Sequence, residues 1–408
     1  MEEVPDASEP TPDAVVDGPT LRAFCGYFLR LGSLGFGGPV ALAGYMQRDL
    51  VEERGWISPQ EYRDGLAIAQ VAPGPLAAQL AMWLVFVRHG VRGATWASLA
   101  FIAPAFIIVV LLAWVYVGAG GATWVASVFY GVAPAAIAII ALAAWRLTSL
   151  TLGRDLLLIA IAAVLAVMTV VTGSEVALAF IAAGLLVAAL RSDLRPGLRG
   201  LAGRLKGRNL AFVFLEPVFP VAAGQAQLLW EMLVFFTFAG TFVFGSGLAI
   251  VPFLHQGLVV DTGWLTDRQF LDSVAVGLIT PGPVVVTAAF AGFLIAGLPG
   301  AFVGAIGVFL PAYLLVVLPG RWILRHKDKS SVLAFIVGVS AAATGAIIGA
   351  VVVLGRGALI DGFTVAIFLG ALVALLAIRR WKPPVLTKLA EPAVVGVAAL
   401  LGLLIRGA

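Results

Sequence analysis

Trp56 and Trp264 stand 208 positions apart, and the same offset aligns two long stretches of the chain. Gly32, Phe36, Gly37, Leu50, Val51, Gly55, Asp64, Pro73, Gly74 and Pro75 meet Gly240, Phe244, Gly245, Leu258, Val259, Gly263, Asp272, Pro281, Gly282 and Pro283 without a gap. After one deletion the offset becomes 207, and Gly90, Gly93, Pro104 and Gly131 meet Gly297, Gly300, Pro311 and Gly338. The chain is a tandem duplication, so any fold it adopts is built from two copies of one unit.

Both copies are strongly apolar. Of 408 residues 61% are hydrophobic and 12% charged, and the mean hydropathy is +1.04. A soluble domain carries about 25% charged residues. Apolar stretches of bilayer length recur to the C-terminus, and the alternation a β-barrel needs is missing. The expected class is all-α: a polytopic membrane protein. The net charge of +4 belongs to loop Lys and Arg that set orientation, and nucleic-acid binding is excluded. Cys25 is the single cysteine and three scattered histidines form no cluster, so neither a disulfide framework nor a metal site is predicted.

Residues 1–19 are acidic and Pro-rich without a signal-peptide core, and are expected to be a disordered tail. Residues 20–190 form the N-terminal transmembrane repeat, 191–227 a basic cytoplasmic loop and linker, and 228–408 the C-terminal repeat. Counting each apolar segment, beginning with 20–45 and 63–87, as one crossing gives thirteen if 209–227 also crosses; the alternative is that the Gly-broken first segment of each copy is re-entrant. With the basic loops 191–208, 321–329 and 379–388 inside, the count puts 46–62 outside and 255–269 inside. The two copies are then inverted repeats.

The interruptions carry the chemistry. Gly35-Phe36-Gly37-Gly38-Pro39 and its counterpart Gly245-Ser246-Gly247 cannot rest comfortably in a continuous helix. Each interior Gly costs about 1 kcal/mol and each Pro about 3. In a bilayer such a break survives only where protein or a water-filled cavity satisfies the freed backbone groups. A helix restarting at Pro39 aims free N–H groups and about half a positive charge at its start, which suits an anion. Pro73-Gly74-Pro75, flanked by Gln70 and Gln79, and Pro281-Gly282-Pro283 with Thr287 break the next segment in the same way. Discontinuous helices whose N-termini meet near the midplane suit a compact, multiply charged oxyanion held in a secondary transporter. The alternative for each break is a packing face or a kink.

Ionisable groups in the apolar segments are few. Arg30, one turn before the Gly run, is a candidate for charge pairing with substrate, or a snorkelling side chain. Asp64 and Asp272, paired by the repeat, and Glu216 are candidates for proton coupling; the plain reading of the aspartates is helix capping. Trp56 and Trp264 read as interface anchors. No phosphate-binding loop, nucleotide fingerprint or catalytic constellation is present. No enzyme and no cofactor is expected.

Gly37-Gly38-Pro39, Trp56, and Gln70 with Pro73-Gly74-Pro75 and Gln79, repeated as Gly245, Trp264 and Pro281-Gly282-Pro283, resemble the chromate ion transporter family in its long, two-domain form, over about residues 20–406. The resemblance implies a bacterial inner-membrane protein that exports chromate on the proton motive force. The chain departs from the family pattern at Leu42, where a His is common, and at Ser246 and Leu278 in the second copy. A sulfate carrier of the same design and a non-transporting scaffold are the competing readings. The partners admitted are an oxyanion, the bilayer and a second copy of the chain.

Overall fold

The structure is a computed structural model that describes residues 19–36, 38–119, 123–172, 177–191, 224–241, 243, 250–320, 330–381 and 389–406. The expected acidic tail, Gly37, Glu216, Gly245, Ser246, Gly247 and nearly all of 191–227 lie outside the described residues. The rest is helical, with no strand among the described residues. In the first half α1 is Leu21–Leu34, α2 Gly38–Met46 (continued by a widened turn, Gln47–Glu53), α3 Pro59–Val71, α4 Leu76–Gly118, α5 Thr123–Thr151, α6 Leu156–Thr172 and α7 Ala177–Arg191. In the second α8 is Gln225–Gly240, α9 Ile250–His255 (continued by Gln256–Asp261), α10 Asp267–Ile279, α11 Thr287–Val317, α12 Ser330–Ala358, α13 Gly362–Trp381 and α14 Ala390–Arg406. Five helical segments among the described residues are long and apolar enough to cross a bilayer: Leu76–Gly118, Ala126–Ser149, Val284–Val317, Ser330–Ala358 and Gly362–Trp381. Outward-facing Leu156, 81% exposed, with Trp145, Val171 and Leu404 gives the apolar surface that lipid demands. The chain is a multi-pass membrane protein.

Segment 20–45 follows the re-entrant alternative, and 63–87, counted as a crossing, does not cross once either. They double back. Tyr27 of α1 donates to Asp49 beyond α2 at 3.3 Å, and Phe24 meets Trp56 edge-on at 5.3 Å. Glu61 of α3 pairs with Arg88 of α4 at 2.8 Å, and Gly65 of α3 lies against the Trp83 and Leu80 side chains. The ends of both hairpins are level, since His89 reaches the Pro19 carbonyl at 3.0 Å. A 14-residue arm such as α1 is about 21 Å long, short of the hydrocarbon thickness. Capping boxes, Ser58 with Glu61 and Thr266 with Gln269, start the second hairpin of each half. That corrects the capping role expected of Asp64 and Asp272, which sit one turn further in.

Gly90 (φ 60°) and Gly297 (φ 62°) then reverse the chain, so α4 and α11 each consist of two arms. Gly304 abuts the Ala288 carbonyl, although sixteen residues of straight helix would separate them by about 24 Å. Left-handed backbone explains glycine at both reversals. The long arms 91–118 and 298–317 run antiparallel: Thr95 meets Tyr313 at 2.7 Å and Phe106 meets Phe302 at 4.8 Å. Around them α5, α6, α7, α12 and α14 pack through glycines; Gly345 faces the Ala162 carbonyl and Gly131 faces Ala398. Such close backbone approach substitutes for the hydrophobic drive that lipid removes. Fully buried Phe24, Phe28, Phe101, Phe236 and Phe290 fill the space around the hairpins.

Candidate functional site

The breaks of the two halves meet one another. The Gly74 N–H donates to the Val243 carbonyl at 2.6 Å, and the Gly282 N–H donates to the Gly35 carbonyl at 3.0 Å. Gly35 and Val243 are 208 positions apart, as are Gly74 and Gly282. Each half therefore gives the other the same hydrogen bond, the reciprocity of a two-fold relation. The packing repeats it. A side chain at Gly74 would meet the Ala312 methyl at 2.7 Å, and one at Gly282 the Ala105 methyl at 3.1 Å; Ala105 and Ala312 are also repeat partners. Positive φ at Gly74 (145°) and Gly282 (92°) adds a conformational reason for glycine.

Both Pro-Gly-Pro breaks end on a helix start without a side-chain cap: Leu76 after Pro75, and the turn Val284–Val286 after Pro283. Leu76, Ala77 and Ala78 are buried. Buried, uncapped N–H groups at a helix start are donors in want of an acceptor. The first breaks contribute Gly35, and Gly38 (φ 74°) followed by Pro39 at the start of α2. Pro73, Pro75, Pro281 and Pro283 complete the tips. No metal-holding group of His, Cys, Asp and Glu exists among the described residues.

The flanking side chains divide. Gln79 is 0% exposed and its Nε2 donates to the Pro73 carbonyl at 2.8 Å, so one of the two amide hydrogens expected to serve an anion is engaged within the break. Gln70 is exposed at the end of α3 and is not buried with it. Thr287 is buried and donates to the Val284 carbonyl at 2.8 Å, closing its own turn. Arg30 is exposed on α1.

The repeat-paired aspartates have unlike surroundings. Asp64 is half-buried and accepts from Gln60 at 3.0 Å. Asp272 is 2% exposed and accepts from the Tyr116 hydroxyl at 2.8 Å, a contact between the first half's long arm and the second half's hairpin. Tyr116 is a hydroxyl alone in an apolar run, and no local sequence pattern marks it.

The sequence profile of the chromate transporter family matches residues 23–189 and 230–403. The chain is 50% identical over 392 residues to the chromate transport protein of Cupriavidus metallidurans, covering 94% of this chain and 93% of that protein. It is 48% identical to the probable chromate transport protein of Synechococcus elongatus (94% and 95% covered). It is 32% identical to the chromate transport protein of Pseudomonas aeruginosa (84% and 82% covered). No solved structure matches. Proteins of this family are transporters, not enzymes, and the chain belongs to the chromate transporter family.

Proposed function

We propose that this protein is a secondary transporter that exports chromate across the bacterial inner membrane by alternating access of two inverted halves. The observation that carries the reading is the reciprocal pair of tip hydrogen bonds, Gly74 to Val243 and Gly282 to Gly35, beside uncapped helix starts. Half-helix N-termini at mid-depth hold an anion without the cost of a buried cation. Gly38, Gly74 and Gly282 let backbone approach the ion; Gln79 and Thr287 shape the wall. Gly37, Gly245, Ser246 and Gly247 belong to the same breaks by sequence.

Inversion draws support from the antiparallel long arms and from charge. The hairpin ends of the first half carry Arg22, Arg48, Arg54, Arg63, Arg88 and Arg92; those of the second half carry Arg268 among the described residues. The positive-inside rule puts the first set in the cytoplasm. Residues 46–62 then lie inside and 255–269 outside, the reverse of the sequence count, because each of the four doubled segments returns to its own side. Asp272, buried and bound to Tyr116, is the group we assign to coupling with the proton motive force. The test is chromate flux into proteoliposomes of the purified chain under an imposed pH gradient, with sulfate as competitor. Gradient-dependent flux that sulfate barely inhibits is expected; flux of sulfate in preference to chromate would contradict the substrate.

A further inference from the structure

We infer that the site takes its oxyanion as the hydrogen-bearing monoanion, with the ion's own O–H donated to Gln79 Oε1. This names the substrate form at the site proposed above and rests on that reading.

Gln79 Oε1 is buried without a hydrogen-bond partner, and a buried polar atom left so is costly. The amide cannot simply turn over. Its Nε2 is engaged by the Pro73 carbonyl at 2.8 Å, and the same Pro73–Gly74 peptide is anchored on its other side by the Gly74 N–H to Val243. Gly74 lies against that amide so closely that a β-carbon there would stand 2.5 Å from Nε2. Turning the amide would set Oε1 against the Pro73 oxygen, acceptor against acceptor. Gln79 therefore offers an acceptor, beside the uncapped start of α4 that offers donors.

A ligand that satisfies both must accept from N–H groups and donate to an oxygen. A bare dianion only accepts, so its lone pairs would face those of Oε1. A hydrogen-bearing oxyanion does both. Sites that demand a substrate hydroxyl reject analogues lacking it strongly. Chromate holds its second proton near neutral pH, whereas sulfate and selenate lose theirs in strong acid, so the acceptor separates ions of like shape. Titratable and charged groups on the elements packed against α4 are Arg22, Cys25, Tyr27 and Arg30 on α1, Tyr45 on α2, Glu61, Tyr62, Arg63 and Asp64 on α3, Tyr313 on α11, and Asp267, Arg268 and Asp272 on α10, the last facing Tyr116 of α4 itself. Their titration acts on every anion alike, whereas the ion's own proton does not.

The experiment is equilibrium binding of chromate, selenate and sulfate to the purified full chain between about pH 6 and pH 9. Chromate affinity should fall about tenfold per pH unit above the ion's own second dissociation, with selenate and sulfate at least a hundredfold weaker throughout. Gln79→Leu and Gln79→Met should both narrow the gap between chromate and selenate. Chromate affinity that is flat with pH, or selenate bound as well as chromate, would overturn the inference and give Oε1 to a buried water. Absence of chromate binding at every pH would overturn the underlying site as well.

Discussion

The Gly74 N–H donates to the Val243 carbonyl at 2.6 Å, which ties the tip of a hairpin in one half of the chain to the break in the other. Its counterpart from Gly282 to Gly35 closes the relation. The two bonds give Gly35, Gly74, Val243 and Gly282 backbone partners that lipid could not supply.

The two glycines differ in room. A methyl at Gly74 would lie 2.5 Å from Gln79 Nε2 and 2.7 Å from Ala312, one at Gly282 3.1 Å from Ala105. Gly74→Ala is therefore expected to lower chromate resistance in cells more than Gly282→Ala, at equal protein in the membrane by immunoblot. Equal effects would show that backbone conformation, not contact, decides.

Tyr116→Phe leaves the Asp272 carboxyl buried without its donor, at a cost of about 1–3 kcal/mol. A lower Tm in detergent is expected. Asp272→Asn keeps the shape and removes the charge, so it should flatten the pH profile of flux while the Tm stays near that of the parent. An unchanged profile would make the pair structural only.

Opposed orientation of the halves is open to labelling. In a chain with Cys25→Ser, Ser58→Cys is expected to react with an impermeant maleimide only from the cytoplasmic face. Thr266→Cys, its repeat partner, should react only from outside. Labelling of both from one face would refute the inversion.

Gly304 abuts the Ala288 carbonyl where the arms of α11 fold together. Gly304→Leu must part those arms, a loss of several kcal/mol by comparison with overpacked cores, about 1–3 kcal/mol even in milder cases. Size-exclusion chromatography in detergent should show loss of the monodisperse protein, while Gly362→Leu, with open space at its Cα, should leave it intact.

The duplication and the breaks were legible because Gly and Pro act locally: Pro73-Gly74-Pro75 stops a helix wherever it stands. The Gly run also left room for a re-entrant first segment, but the return of the second segment was not legible. An apolar run such as 63–87 has the same composition whether it crosses once or returns, and Gly90 and Gly297 are single glycines in segments rich in them. Asp272 was marked by the repeat, yet its partner Tyr116 lies 156 positions away, and no local pattern links them. The orientation of the Gln79 amide depends on the Pro73 carbonyl, whose position follows from the conformation of the break and not from residue type.

The most direct measurement of the central claim is calorimetric binding of chromate to the purified parent chain, to Gly74→Leu and to Gly282→Leu, each checked for helical content and monodispersity. Binding by the parent and its loss in both variants is the predicted result. Chromate bound with unaltered affinity by two folded variants would place the ion away from the crossed tips and contradict the account.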